Sequence, residues 1–227
     1  FVGNPAYSDL NVGLQFFPLR KQCSVPDYQD LAVALALQPA ARGPITDQLA
    51  LQKMAGGTPM VPLLQGLTGY LATNAKPGRK PVIVLATDGF PDDTCPSTAE
   101  GATPNTLENA AKIAKTAFEA NPSVATFVIG VGGELAALDA IALAGGTTKA
   151  TLVDTGANAR RAFLEALENI RKTAIHSAGL PGTSLGAAAA AHRYSRVGTH
   201  TGQVTMQLDR MRFAEPRGVG GHRQART

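Results

Sequence analysis

Two nearly unbroken apolar runs constrain this chain more than any other feature. Pro81 to Thr87 (PVIVLAT) and Val124 to Val131 (VATFVIGV) are short and rich in β-branched residues, and both are bounded by turn-forming residues. Strands of this kind are buried on both faces, as happens where helices cover a parallel sheet. Strand-like and helix-like segments alternate around them. Asn11 to Pro18 sets Val12, Leu14 and Phe16 at alternate positions, Leu31 to Leu37 alternates as a half-buried or edge strand would, and Ala150 to Asp154 reads as a short final strand. Val61, Leu64, Leu67 and Leu71 fall at helical spacing, as do Leu107, Ala110, Ala114 and Ala117. Leu135 to Ala144 reads as a short helix stopped at Gly145-Gly146. In a last helix Phe163, Leu167, Ile170 and Ala174 form one stripe, with Glu168 placed to pair with Arg171 and Lys172 on the wet face. The pattern predicts an α/β fold: a three-layer, doubly wound (Rossmann-like), mostly parallel sheet over residues 1–175.

A chain of 227 residues with 44% hydrophobic and 17% charged content suits one soluble domain of this kind. No apolar run approaches the roughly 20 residues of a membrane helix, so no span is expected. The chain begins at Phe1, which suggests a processed product or fragment with any signal peptide upstream. The net charge of +4 is unevenly placed: residues 1–172 hold 14 Lys/Arg against 15 Asp/Glu, and residues 173–227 hold 7 Arg against 2 acids. Basicity confined to one end argues against a specific nucleic-acid partner for the body. Residues 176–227, with all four histidines and a Gly/Ala-rich stretch, read as a disordered basic tail or as sequence translated out of frame.

The two cysteines, Cys23 and Cys95, lack zinc-site spacing. Each follows an expected strand, which puts both on one rim of the sheet. An intramolecular disulfide would close a loop of about 70 residues and contribute roughly 4 kcal/mol in the chain-entropy model. Pairing with a cysteine outside this chain, or no pairing, are the alternatives. A disulfide implies an oxidising compartment.

In sheets of this class ligands bind beyond the carboxyl ends of the strands. Two loops there carry chemistry. In Gly56-Gly57-Thr58-Pro59 the glycines allow a tight bend and Pro59 suits a first helical position, which makes Thr58 a candidate helix cap. In Thr87-Asp88-Gly89-Phe90-Pro91-Asp92, Asp88 follows the most apolar strand, either as a functional carboxylate or as part of an ordinary Asp-Gly turn.

Taken in order, VGLQFFP, GGTPM before a helix, VIVLATDGFPDD, VATFVIGVG, an AGGT turn and an LVD strand resemble the von Willebrand factor A family, particularly its bacterial extracellular branch, over about residues 1–172. The resemblance implies a metal-ion-dependent adhesion site assembled from a DxSxS motif after the first strand, a Thr and an Asp. By position, Thr58 matches that Thr and Asp88 that Asp. The implied cofactor is Mg²⁺, or Mn²⁺ or Ca²⁺, with an open coordination position for a carboxylate of a protein or matrix-like ligand. The implied setting is secreted or cell-envelope. No DxSxS occurs in the sequence. The expectation is therefore a fold lacking its first central strand, between Asn11 to Pro18 and Pro81 to Thr87, with poor stability and weak metal binding.

The resemblance admits a second role, as an intracellular partner of an ATP-driven metal-insertion complex. A third reading is an α/β hydrolase or phosphotransferase using Asp88. Residues 1–172 contain no His, no GxSxG elbow and no P-loop, and Gly130-Val131-Gly132-Gly133 lacks the spacing of a dinucleotide loop, so an enzyme is not expected.

Overall fold

A computed structural model describes residues 1–19, 21–52, 56–76, 79–92, 95 and 103–177, and residues 203–208; for 175–177 and 203–208 it describes the backbone alone. Among the described residues six strands form one sheet: β1 (Asn11–Phe16), β2 (Val33–Leu37), β3 (Pro81–Thr87), β4 (Ala125–Val131), β5 (Thr151–Val153) and β6 (Gln203–Leu208). Their order is β2-β1-β6-β3-β4-β5. β2 runs antiparallel to β1 at one edge, and every other pairing is parallel. The helices are α1 (Gln38–Leu51), α2 (Met60–Asn74), α3 (Leu107–Glu119), α4 (Asp139–Ala144) and α5 (Ala159–Ser177).

The apolar run of β3 is explained by its surroundings: all seven residues are buried, and successive side chains feed two cores. On one face Val82, Val84 and Ala86 join Val12, Leu14 and Phe16 of β1, Ile45 of α1, and Leu167 and Ile170 of α5. On the other, Ile83 and Leu85 join Leu63, Leu64, Leu67 and Leu71 of α2, Ala110 and Ala114 of α3, and Ile141 of α4. The sheet is thus covered by helices on both faces. Gly66 of α2 lets that helix sit on the 3-10 turn Pro26–Gln29, because a Cβ there would lie 2.4 Å from the Tyr28 Cβ.

The expected edge strand is present but starts at Val33 rather than Leu31. The expected helix at Leu135 to Ala144 opens with a 3-10 turn, Ala136–Leu138, before α4. α1 is not anticipated by the pattern: Gly43 and Pro44 interrupt it, and only Gln38, Ala41 and Ile45 are buried. On α5 the Glu168–Arg171 pair forms at 3.4 Å, but it is not on a wet face. The Tyr7 hydroxyl donates to Glu168, and the Arg171 guanidinium lies 4.2 Å from the Tyr7 ring centroid. Hydrogen bonding to Glu168, helped by desolvation, holds the Tyr7 phenol above its ordinary pKa.

The largest departure concerns residues 176–227 and the expected missing strand. Residues 176–177 end α5, and residues 203–208 form β6 in the position between β1 and β3. Composition concealed this strand because Gly, Ala and Arg dominate the sequence around it, while Gln-Val-Thr-Met-Gln-Leu itself alternates polar and apolar residues. The gap left by the sequence reading is therefore occupied, and both β1 and β3 have ladder partners on that side. The remaining residues of the basic segment lie outside those described.

Candidate metal-binding rim

β3 ends in Thr87, which is fully buried and closes a tight turn. Its hydroxyl donates to the Gly89 carbonyl (2.9 Å) and accepts the Gly89 N–H (3.2 Å). That turn holds Asp88 between two fixed residues and leaves it exposed at the carboxyl end of the strand. Asp88 is thus held in an ordinary turn, and its carboxylate is exposed to solvent.

The Gly56–Pro59 loop approaches from α2. Gly56 has φ of +101°, and a Cβ there would lie 2.5 Å from Pro18 Cγ, so only glycine fits the bend. The Gly57 N–H donates to Gln22 Oε1 at 3.3 Å. The Thr58 N–H donates to Asp92 Oδ2 at 2.9 Å, joining this loop to the one after β3. The Thr58 hydroxyl lies 3.5 Å from the point a Cβ on Gly89 would occupy, which brings it beside the Asp88 turn.

Thr58 does not cap α2. The N-cap is Pro59, without a side-chain cap bond, and the first helical residue is Met60. The free donor in that first turn, the Val61 N–H, is satisfied by Asn105 Oδ1 at 3.0 Å. Asn105 Nδ2 in turn donates to the carbonyls of Thr58 (2.9 Å) and Asp92 (2.8 Å). This one buried side chain ties together α2, the Thr58 loop and the loop after β3. Nothing local to Asn105 in the sequence marks this role, because its partners lie 44, 47 and 13 residues away.

Cys23 and Cys95 are bonded, with Cα atoms 5.4 Å apart. The bridge braces the same rim: Cys23 follows Gln22, which holds Gly57, and Cys95 lies three residues beyond Asp92, which holds Thr58. Beneath it, the Tyr28 hydroxyl donates to the Gln22 carbonyl (3.0 Å) and accepts the Leu19 N–H (3.3 Å). Burial pushes this phenol up to about 12.

Thr58 and Asp88 therefore stand on adjacent loops, and among the described residues neither the hydroxyl nor the carboxylate is engaged in a hydrogen bond, whereas the Thr58 backbone is held by Asp92 and Asn105, and Thr87 and Gly89 close the turn around Asp88. A hydroxyl and an exposed carboxylate are hard oxygen donors suited to Mg²⁺, which keeps several waters. Two such donors are too few for a tight site. No group of three or more His, Cys, Asp or Glu side chains arranged to hold an ion occurs among the described residues. No helix among them is long and apolar enough to cross a membrane.

No family model, curated protein or solved structure matches the chain.

Proposed function

We propose that this chain is a metal-dependent binding module of the von Willebrand factor A type, built on a doubly wound sheet. Thr58 and Asp88 hold a Mg²⁺ ion, or Mn²⁺ or Ca²⁺, weakly and partly through water. The reading rests on the placement of an unengaged hydroxyl beside the turn that carries an exposed carboxylate, at the carboxyl end of β3 and on loops tied together by Asn105, Asp92 and the disulfide. The bound ion would offer its open position to a carboxylate from a protein or matrix-like ligand. Thr58 would supply a hydroxyl and Asp88 an exposed carboxylate to such an ion.

The disulfide favours a secreted or cell-envelope setting over the role of intracellular partner to a metal-insertion complex. A binding role is preferred to catalysis because Asp88 has no histidine near it among the described residues, and residues 1–172 contain none. Titration calorimetry with Mg²⁺ and Mn²⁺ tests the reading. Saturable binding with a Kd of about 1 mM, lost in Asp88→Ala and weakened in Thr58→Ala, is expected for so few protein ligands. Heats unchanged by either substitution would overturn the assignment.

A further inference from the structure

β6 reaches the middle of the sheet from a distance. Residues 178–202, 25 residues of Gly/Ala-rich sequence, join it to α5. A connection of that length spans at most about 80–90 Å when extended, against a radius of gyration of about 17 Å for a compact chain of 227 residues. Among the described residues no other strand joins the two parts of the sheet, because there β1 pairs with β2 and β6, and β3 with β4 and β6. The position between them is a slot with an unpaired ladder on each wall whenever β6 is out.

The fit of β6 to that slot is specific. Its partners on β1 are Val12 with Val204, Leu14 with Met206 and Phe16 with Leu208, alternating with Asn11 and Gln203, Gly13 and Thr205, and Gln15 and Gln207. Apolar positions align with apolar ones through all six residues, and a slip by one would pair every apolar position with a polar or glycine position. The fit is also imperfect. A central strand flanked by parallel neighbours is normally a continuous apolar run, as β3 is, whereas the sequence of β6 alternates.

Register fixes where β6 inserts, while its alternating sequence has fewer apolar positions than that of β3. We propose that the slot between β1 and β3 is a strand-accepting site that takes Gln203–Leu208 from a second copy of this chain as well as from its own, so that two copies can pair by exchanging β6. In dilute solution the chain's own strand wins, because a covalent connection of 25 residues makes its insertion intramolecular, whereas a second copy must meet the slot at the bulk protein concentration.

The test uses the full chain carrying Thr205→Pro, whose own strand loses a ladder donor, together with a fluorescent peptide of residues 201–210. The peptide is expected to bind this variant at least about tenfold more tightly than it binds the unaltered chain, where the tethered strand competes. The same peptide with proline at its 205 position is expected to bind neither. Equal binding to both chains, or no binding to a folded Thr205→Pro chain, would overturn the proposal. Should that variant fail to fold, hydrogen exchange on the unaltered chain decides. Amides 203–208 protected, but opening before those of 82–87, support the proposal; amides 203–208 exchanging as fast as free peptide, or no faster than 82–87, contradict it.

Discussion

β3 and β6 lie side by side, run in the same direction and share six registered positions, yet the sequence announces one and hides the other. β3 is apolar throughout because both cores need its side chains. β6 carries an alternating pattern within a basic, Gly-rich segment, and its place is set by register against β1. Hydrophobicity alone thus identifies strands that build the core, while a strand that closes a gap between two finished walls needs only the right alternation. A central position in a sheet does not require a central-looking sequence.

The disulfide gives the largest expected effect on this comparison, because it and β6 both link the β1–β2 part of the molecule to the β3–β4–β5 part. Replacing Cys23 and Cys95 with Ser should cost about 4 kcal/mol by the chain-entropy model, measured by denaturant unfolding. It should also raise exchange at 203–208 more than at 82–87; uniform loosening of both strands would erase the distinction.

Next is Leu85→Ala, which removes a fully buried side chain from β3 and should cost roughly 3 kcal/mol. Thr205→Pro in β6 removes one backbone donor from the ladder and should cost less, roughly 2 kcal/mol in chemical denaturation. A larger loss for Thr205→Pro than for Leu85→Ala would make β6, not β3, the keystone of the sheet.

The smallest effect is one of pH and touches the loop between β1 and β2. Tyr28 has its folded pKa raised by burial from 10.0 to about 12. A raised value means that the folded state holds the proton more firmly. The contribution is therefore complete below pH 10 and is lost as pH rises toward 12. Thermal melts of the unaltered chain should decline across that window more steeply than those of Tyr28→Phe; parallel declines would remove Tyr28 as the cause.

Much of the body was legible because α2, α3, α5, β3 and β4 each bury a regular set of positions, so period and burial agree. α1 was not, since Pro44 lies inside it and its buried positions are few. Asp88 stands out in the sequence because the loop after a strand is where an open sheet presents polar groups, whereas the Thr58 loop joins α1 to α2 and is marked only by its two glycines and Pro59. The cap on α2 could not be read locally: Asn105 supplies it from the far side of the rim, and nothing in the neighbouring sequence marks that reach. Placing both cysteines behind strands on one rim leaves the Cys23–Cys95 bridge as one of three open readings, and the structure contains it.

The proposed cation site places Thr58 and Asp88 around one ion on the rim of this sheet. Amide signals recorded during a Mn²⁺ titration test it most directly, since the paramagnetic ion broadens only nearby nuclei. The account predicts saturable broadening confined to residues near 57–59 and 88–92, reversed by excess Mg²⁺ and absent in Asp88→Ala. Broadening spread over the acidic surface, or unchanged in Asp88→Ala, would contradict it.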